Sequence, residues 1–453
     1  MKKGFYLFVT TALLAGCTSP KDTTVHLKGQ LIDMGSNTVT LAYDGAESLV
    51  GDTKDFMLVT DENGNFDTTL TITEPAYYRI SRNTLYLTPG DDLTIKITSN
   101  NKEAEFVGKG AEVNEYMKYR LFPKGGSYLE GGSNIVSNYE DTKALIDSLA
   151  GEREKQLDAL KEATDEFKEL EHARIRADIA NSYLAYSSYA AMKEHSLNTP
   201  EERKHFGDSL YQRAIKDAKP IFKEMNNDKY LDVAVVRDIM YNIVNPRDEQ
   251  TKYPAEGLTV SPYVTELYAA AKYVNKLRGK ISEELFDEVN TFIGTMKQPE
   301  LVTEINAKVE QATKLMKGRP AIDFEMTDVD GNVHKLSEFK GKILYLDFWA
   351  TWCGPCVKES PYFEALAKEF EGKDILFIPI STDKNKKEWI SFITAHKKEL
   401  PQYNSLDLKL NEDWAIHYIP RFVIIDKNFN IVDAYASVPS QAETKVLLDS
   451  LLQ

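Results

Sequence analysis

The stretch Phe348–Cys356, FWATWCGPC, limits the fold more than any other. Two cysteines stand three positions apart, with Gly354 and Pro355 between them and a continuous apolar run, ILYLDFW (343–349), just before. A run of that kind reads as a strand buried on both faces. A second one, DILFIPIS (374–381), follows a helical segment at 357–371. A hairpin at 324–333 turns on Asp330-Gly331, a helix is expected at 388–397, a terminal hairpin pairs 422–426 with 431–435, and a last helix covers 441–452. Apolar strands alternating with helices imply an α/β domain over 317–453, with a partly parallel sheet covered on both faces.

A chain of 453 residues is too long for one core, and the sequence changes character twice more. Over 25–109, seven short runs rich in Val, Ile, Thr and Tyr alternate with turn formers such as Pro89-Gly90-Asp91-Asp92. These predict an antiparallel β-sandwich-like domain. Over 110–316 the period is helical, with long segments at 141–195, 200–225 and 264–315, which predicts an all-α region. Pro246, Pro254 and Pro262 mark an irregular connection inside it. Tyr183, Tyr186 and Tyr189 fall on neighbouring helical turns and read as the edge of a core with satisfied hydroxyls rather than a binding stripe.

The formal net charge of −15 and the lack of a basic cluster argue against nucleic acid as a partner. The N-terminus, MKKGFYLFVTTALLAGCTSP, has a positive start and an apolar run too short to stay as a membrane span. Its ending, Leu14-Ala15-Gly16-Cys17, resembles the lipobox of bacterial lipoproteins. That resemblance implies a signal peptide over 1–16, a lipid on Cys17 and a tether over 17–24, holding the protein on a membrane facing the periplasm. Thr18 and Ser19 stand where an aspartate would argue for inner-membrane retention, so the outer membrane is preferred. With Cys17 modified, the three cysteines leave a single pair, Cys353 and Cys356.

A CxxC pair binds metal or exchanges electrons. Zinc asks for four ligands, and there is no second pair and no histidine motif, although His417 could reach the cysteines by folding. So short a loop gives little as a structural staple. Redox exchange is the stronger reading, with no metal and no cofactor beyond the Cys353–Cys356 disulfide itself. Cys353 falls at a helix N-terminus, where unpaired N–H groups favour its thiolate. Cys356, one turn later, resolves the mixed disulfide, and Gly354 and Pro355 hold the turn. A base is needed near Cys356.

Residues 343–361 resemble the thioredoxins. Asp347 precedes Cys353 by six positions, Pro361 follows Cys356 by five, and Tyr418-Ile419-Pro420-Arg421-Phe422 resembles the loop that carries a cis-proline. The block GRPAIDFEMTDVDGNVHKLSEFKGK (318–342), together with Glu359, is similar to the exported TlpA/ResA-type thioredoxins. The 25–316 region resembles the N-terminal modules often fused to such lipoproteins. The resemblance implies a thioredoxin fold and Asp347 as the buried proton acceptor for Cys356. It makes Glu359 a second acid, and Trp352 a cover for the pair that packs on substrate. It also implies a cis Pro420 against the disulfide, with Ile419 pairing with an extended substrate. Two departures stand out. DAYASV (433–438) lacks the family's glycine, and Arg421 puts positive charge at the groove, which would favour acidic substrates.

The expected function is a membrane-anchored thiol–disulfide oxidoreductase that reduces exported disulfide proteins, apocytochromes among them, with electrons from a transmembrane donor. The alternatives are a disulfide oxidase or isomerase, and a partner-binding protein in which the thioredoxin domain is accessory. A peroxidase fits less well, because PxxxTxxC is absent around Cys353.

Overall fold

The computed structural model describes residues 23–34, 38–119, 127–194, 196, 198–245, 258–405 and 408–453. The leader, Cys17 and most of the tether lie outside these residues, as do Pro246 and Pro254. The chain divides into a β-rich N-terminal part, a helical middle and a C-terminal thioredoxin-like domain.

Among the described residues eight strands form the first part: β1 (Thr24–Leu31), β2 (Thr38–Tyr43), β3 (Phe56–Val59), β4 (Asn65–Thr71), β5 (Ala76–Ile80), β6 (Asn83–Leu87), β7 (Asp92–Ile97) and β8 (Glu105–Lys109). They make two four-stranded sheets, β4-β1-β7-β8 and β3-β2-β5-β6. Alternate residues of β1 and β7, such as Leu27 and Ile95, share a core with Leu41, Leu58 and Ile80 of the other sheet. The purely antiparallel expectation needs correction, because β1 and β7 pair in parallel. At the centre of that pairing Gly29 has φ +141°, and a Cβ there would lie 1.8 Å from the Ile95 carbonyl oxygen, so only glycine fits. β8 carries no apolar run, since it is an exposed edge, and periodicity alone misses it.

The middle holds α1 (Ala111–Met117), α2 (Tyr139–Asp158), α3 (Asp165–Lys193), α4 (Pro200–Met225), α5 (Ala234–Val244), α6 (Pro262–Leu277), α7 (Glu283–Ile293) and α8 (Pro299–Lys314). Two of the three expected long segments are broken by caps. Thr164 caps α3, and Ser282 caps α7. The segment at 200–225 is one helix, opened by a capping box between Thr199 and Glu202. Tyr183 and Tyr186 are buried in α3, and the Tyr183 hydroxyl donates to Asp147.

The β-rich part and the helices are fused through one core, which joins Val50, Tyr77 and Tyr86 to Phe167, Leu267 and Ile305. Buried polar groups cross the same boundary. Arg237 of α5 donates to the Asp44 carboxylate (2.6 Å) and to the Asp44 carbonyl (3.0 Å), and Tyr77 donates to Glu171 (2.9 Å).

The C-terminal domain contains β9 (Glu325–Asp328), β10 (Val333–Lys335), β11 (Ile343–Trp349), α9 (Gly354–Glu369), β12 (Ile375–Ser381), α10 (Lys386–Ala395), β13 (Tyr403–Asn404), α11 (Leu408–Asp413), β14 (Arg421–Ile425), β15 (Ile431–Ala436) and α12 (Ala442–Leu451). Its sheet runs β10-β9-β13-β12-β11-β14-β15, with β11 parallel to β12 and antiparallel to β14. Leu344, Leu346 and Phe348 face one core, while Ile343 and Tyr345 face another under α9. Lys280 joins this domain to the helices through Asp433 (2.5 Å), and Gln311 does so through the Glu412 carbonyl.

Arg237→Ala would leave Asp44 buried without its cation, at a cost of roughly 3–5 kcal/mol. Because the core is shared, the β-rich part and the helices should lose stability together in a denaturant melt. Loss confined to the helices would contradict a common core.

Candidate active site

The end of β11 and the start of α9 position the redox pair. The strand stops at Trp349, the chain turns, and Cys353 becomes the N-cap of α9, with Gly354 and Pro355 in the first turn. The Cys356 N–H donates to Cys353 Sγ (3.2 Å), so the helix N-terminus is directed at that sulfur, where it would stabilise a thiolate. Cys353 and Cys356 are joined as a disulfide, and both are buried, at 5% and 2% exposure. Trp352 immediately before them is 73% exposed.

The Ile419–Pro420 bond is cis, as the resemblance implied. Ile419 packs on the cluster formed by Trp349, Ala350, Cys353, Cys356 and Trp389. Asp347 lies in β11 next to Phe348, fully enclosed, with Oδ1 lacking a hydrogen-bond partner. Burial pushes its carboxyl up to about 8; Lys398 opposes that rise and Glu359 adds to it. Glu359 itself turns toward the loop before α12, where its carboxylate accepts the Ser440 N–H (3.2 Å) and hydroxyl (3.0 Å). It acts on Asp347 through its charge.

Arg421 is not at the groove. It is 3% exposed, its Nε donates to the Ala434 carbonyl (2.6 Å), and its guanidinium lies 3.3 Å from the Tyr435 ring centroid. Alternation along β14 puts it on the Val423 face, away from α9 and the Phe422 side. The acidic-substrate expectation that rested on Arg421 therefore loses its basis. His417 lines a cavity at the domain junction. Among the described residues no group of three or more His, Cys, Asp or Glu could hold a metal ion.

Two supporting residues escaped sequence reasoning. Asp383 accepts the Thr351 N–H (2.9 Å) and hydroxyl (2.8 Å) together with the Ser381 hydroxyl (2.7 Å), which pins the turn that presents Cys353. Lys398 reaches back to α9, where its ammonium donates to the Ser360 hydroxyl and pairs with Glu364 (3.2 Å). Ser360 lies four residues after Cys356, so this cation sits on the Cys356 side of the helix. Ser381 apart, the partners lie about 30 or more residues away in sequence, which leaves no local signal.

A helix-capping cysteine in a strand-to-helix CxxC, a buried acid and a cis-proline loop on one sheet define a dithiol enzyme of thioredoxin fold. Comparison with known proteins agrees. The Redoxin family profile matches residues 316–450. The thiol-disulfide oxidoreductase ResA of Bacillus cereus is 29% identical over 140 residues, 31% of this chain and 79% of that protein. The thioredoxin-like protein YneN of Bacillus subtilis is 30% identical over 139 residues, 30% of this chain and 80% of that protein. A crystal structure from Bacteroides vulgatus, titled as a thiol-disulfide oxidoreductase, is 61% identical, covering 31% of this chain and 99% of its own, with a TM-score of 0.31. The chain belongs to the ResA-like thioredoxin-fold thiol-disulfide oxidoreductases through its C-terminal domain.

Asp347 has its pKa raised from 3.8 to about 8. The folded, oxidised protein thus holds a proton between these values that the unfolded chain has lost, so this group makes stability fall as pH rises through that window. Asp347→Asn should remove the slope. The variant would then be more stable than the parent above pH 8 by roughly 2–5 kcal/mol, read from denaturant melts across the window. Lys398→Met removes the opposing cation and should move the Asp347 titration further up, which the infrared carboxyl band would show.

Proposed function

We propose that this protein is a lipid-anchored periplasmic reductase of disulfides in exported proteins, re-reduced by a transmembrane electron donor. The observation that carries the chemistry is Asp347, buried in β11 on the face that α9 covers, with its carboxyl raised to about 8. An ordinary thiol titrates near 8.5, so a proton can pass between Cys356 and Asp347 at little cost in either direction.

In the reduced enzyme the Cys353 thiolate attacks one sulfur of a substrate disulfide. An S–S bond forms to Cys353, and the other substrate sulfur leaves as a thiolate that takes up a proton. Cys356 then gives its proton to ionised Asp347 and attacks Cys353 Sγ. The second substrate sulfur leaves and is protonated, and the enzyme keeps the disulfide. Two electrons and two protons from the donor restore the dithiol. The Gly354-Pro355 pair and Ile419 before the cis-proline resemble reducing thioredoxins, which supports this direction. The Leu14–Cys17 lipobox supports the anchor, in the outer membrane.

With Cys356→Ser, resolution is blocked, and a mixed disulfide on Cys353 should accumulate with exported disulfide proteins, seen on non-reducing gels and by mass. The reduction potential of the Cys353–Cys356 pair, in protein lacking residues 1–17, should lie near the thioredoxin value of about −270 mV. A value near the isomerases or oxidases, about −180 to −120 mV, would replace the reductase with an oxidase or isomerase.

A further inference from the structure

A cavity of about 280 Å³ opens where all three parts of the chain meet. Tyr43, Asp52, Asp55 and Arg79 line it from the β-rich part, Arg278 and Lys308 from the helices, and Ala415 and His417 from the thioredoxin-like domain. The last two belong to the segment that leads into the cis-proline. Ile419, two residues after His417, packs on the cluster that holds Cys353 and Cys356. Two residues of extended chain span at most about 7 Å, so the cavity adjoins the redox groove.

Its charge runs against that of the molecule. In a chain of net charge −15, three cations and an imidazole meet here against two carboxylates. Both carboxylates are engaged: Asp52 pairs with Lys308 (2.5 Å), and Asp55 accepts the Tyr43 N–H (2.8 Å). Arg79 reaches Asp44 only at 3.9 Å, and that carboxylate is already held by Arg237. The side chains of Arg278 and His417 make no hydrogen bond or ion pair among the described residues. Burial, with Arg278 and Lys308 next, holds the His417 imidazole below its ordinary value. With the imidazole neutral, the lining carries one net positive charge, and Arg278 is its cation with no ion pair among the described residues.

We infer that this cavity is a recognition subsite for a carboxylate-bearing segment of the disulfide substrate, lying about two to four residues from the cysteine that Cys353 engages. The inference rests on the disulfide-reductase reading of the redox site. It gives the N-terminal three hundred residues a part in substrate choice, since two of the three cations come from them and the third comes from the β-rich part's partner helix α8. The acidic preference first attached to Arg421 then arises from Arg79, Arg278 and Lys308 instead.

The test compares disulfide-bonded peptides that differ only in Glu, Gln or Lys three residues from the cysteine, reduced by the full chain in its dithiol form. The quantity read is the ratio of kcat/KM between the Glu and Gln peptides. Exposed charge pairs are individually small, so a ratio of roughly two- to fivefold is expected, carried by KM and collapsing at high salt. Arg278→Glu should bring the ratio to one or below. The salt dependence in the unaltered protein gives the same information if that variant fails to fold. A ratio of one in the unaltered protein, with all three peptides still reduced, would overturn the subsite and leave the reductase standing. Reduction of none of them would overturn both.

Discussion

The redox domain depends on β11 being buried on both faces. All seven residues from Ile343 to Trp349 are enclosed, between β12 on one side and β14 on the other. A strand so placed has no wet face, so its one charged residue, Asp347, must lie inside. Enclosure disfavours the carboxylate and lifts Asp347 into the range where thiols titrate. The same strand ends where the chain turns into α9, so the acid and the two sulfurs are delivered by one continuous segment. Asp383 and Lys398 then refine what β11 sets up: one holds the turn, and the other limits how far the acid's pKa rises.

The rest of the molecule is held together differently. The β-rich part and the helices share apolar surface without interruption, and buried pairs such as Arg237–Asp44 cross between them. Pairs of that kind add little net stability against an apolar alternative, yet they are costly to break singly, so they define orientation. The ties named above to the thioredoxin-like domain are lighter, Lys280 to Asp433 and Gln311 to the Glu412 carbonyl. Where this two-part body meets the redox domain a cavity remains, lined by residues of both. That cavity borders the segment ending in the cis-proline.

Much of this was legible in the residue pattern. The seven expected strands of the first part are all present, the helix at 200–225 has its expected bounds, and the 343–349 strand is found where its apolar run lies. Caps and short edges were harder. Thr164 and Ser282 split segments whose apolar period continues past them, and β8 and β13 are too exposed or too short to leave a pattern. The parallel pairing of β1 with β7 left no trace either, because pairing direction is a property of two distant segments.

Local chemistry is written in the residue order: the strand-to-helix CxxC, the period of each region, and the acid six residues before Cys353. Where charge acts is set by the folded chain. It turned Arg421 to the far face of the sheet against Tyr435, brought Lys398 to the Cys356 side of α9, and gathered Arg79, Arg278 and Lys308 around His417. The reason is physical. Burial and periodicity are encoded within a few residues, whereas the field at a site sums over side chains whose sequence separations carry no record of their distance in space.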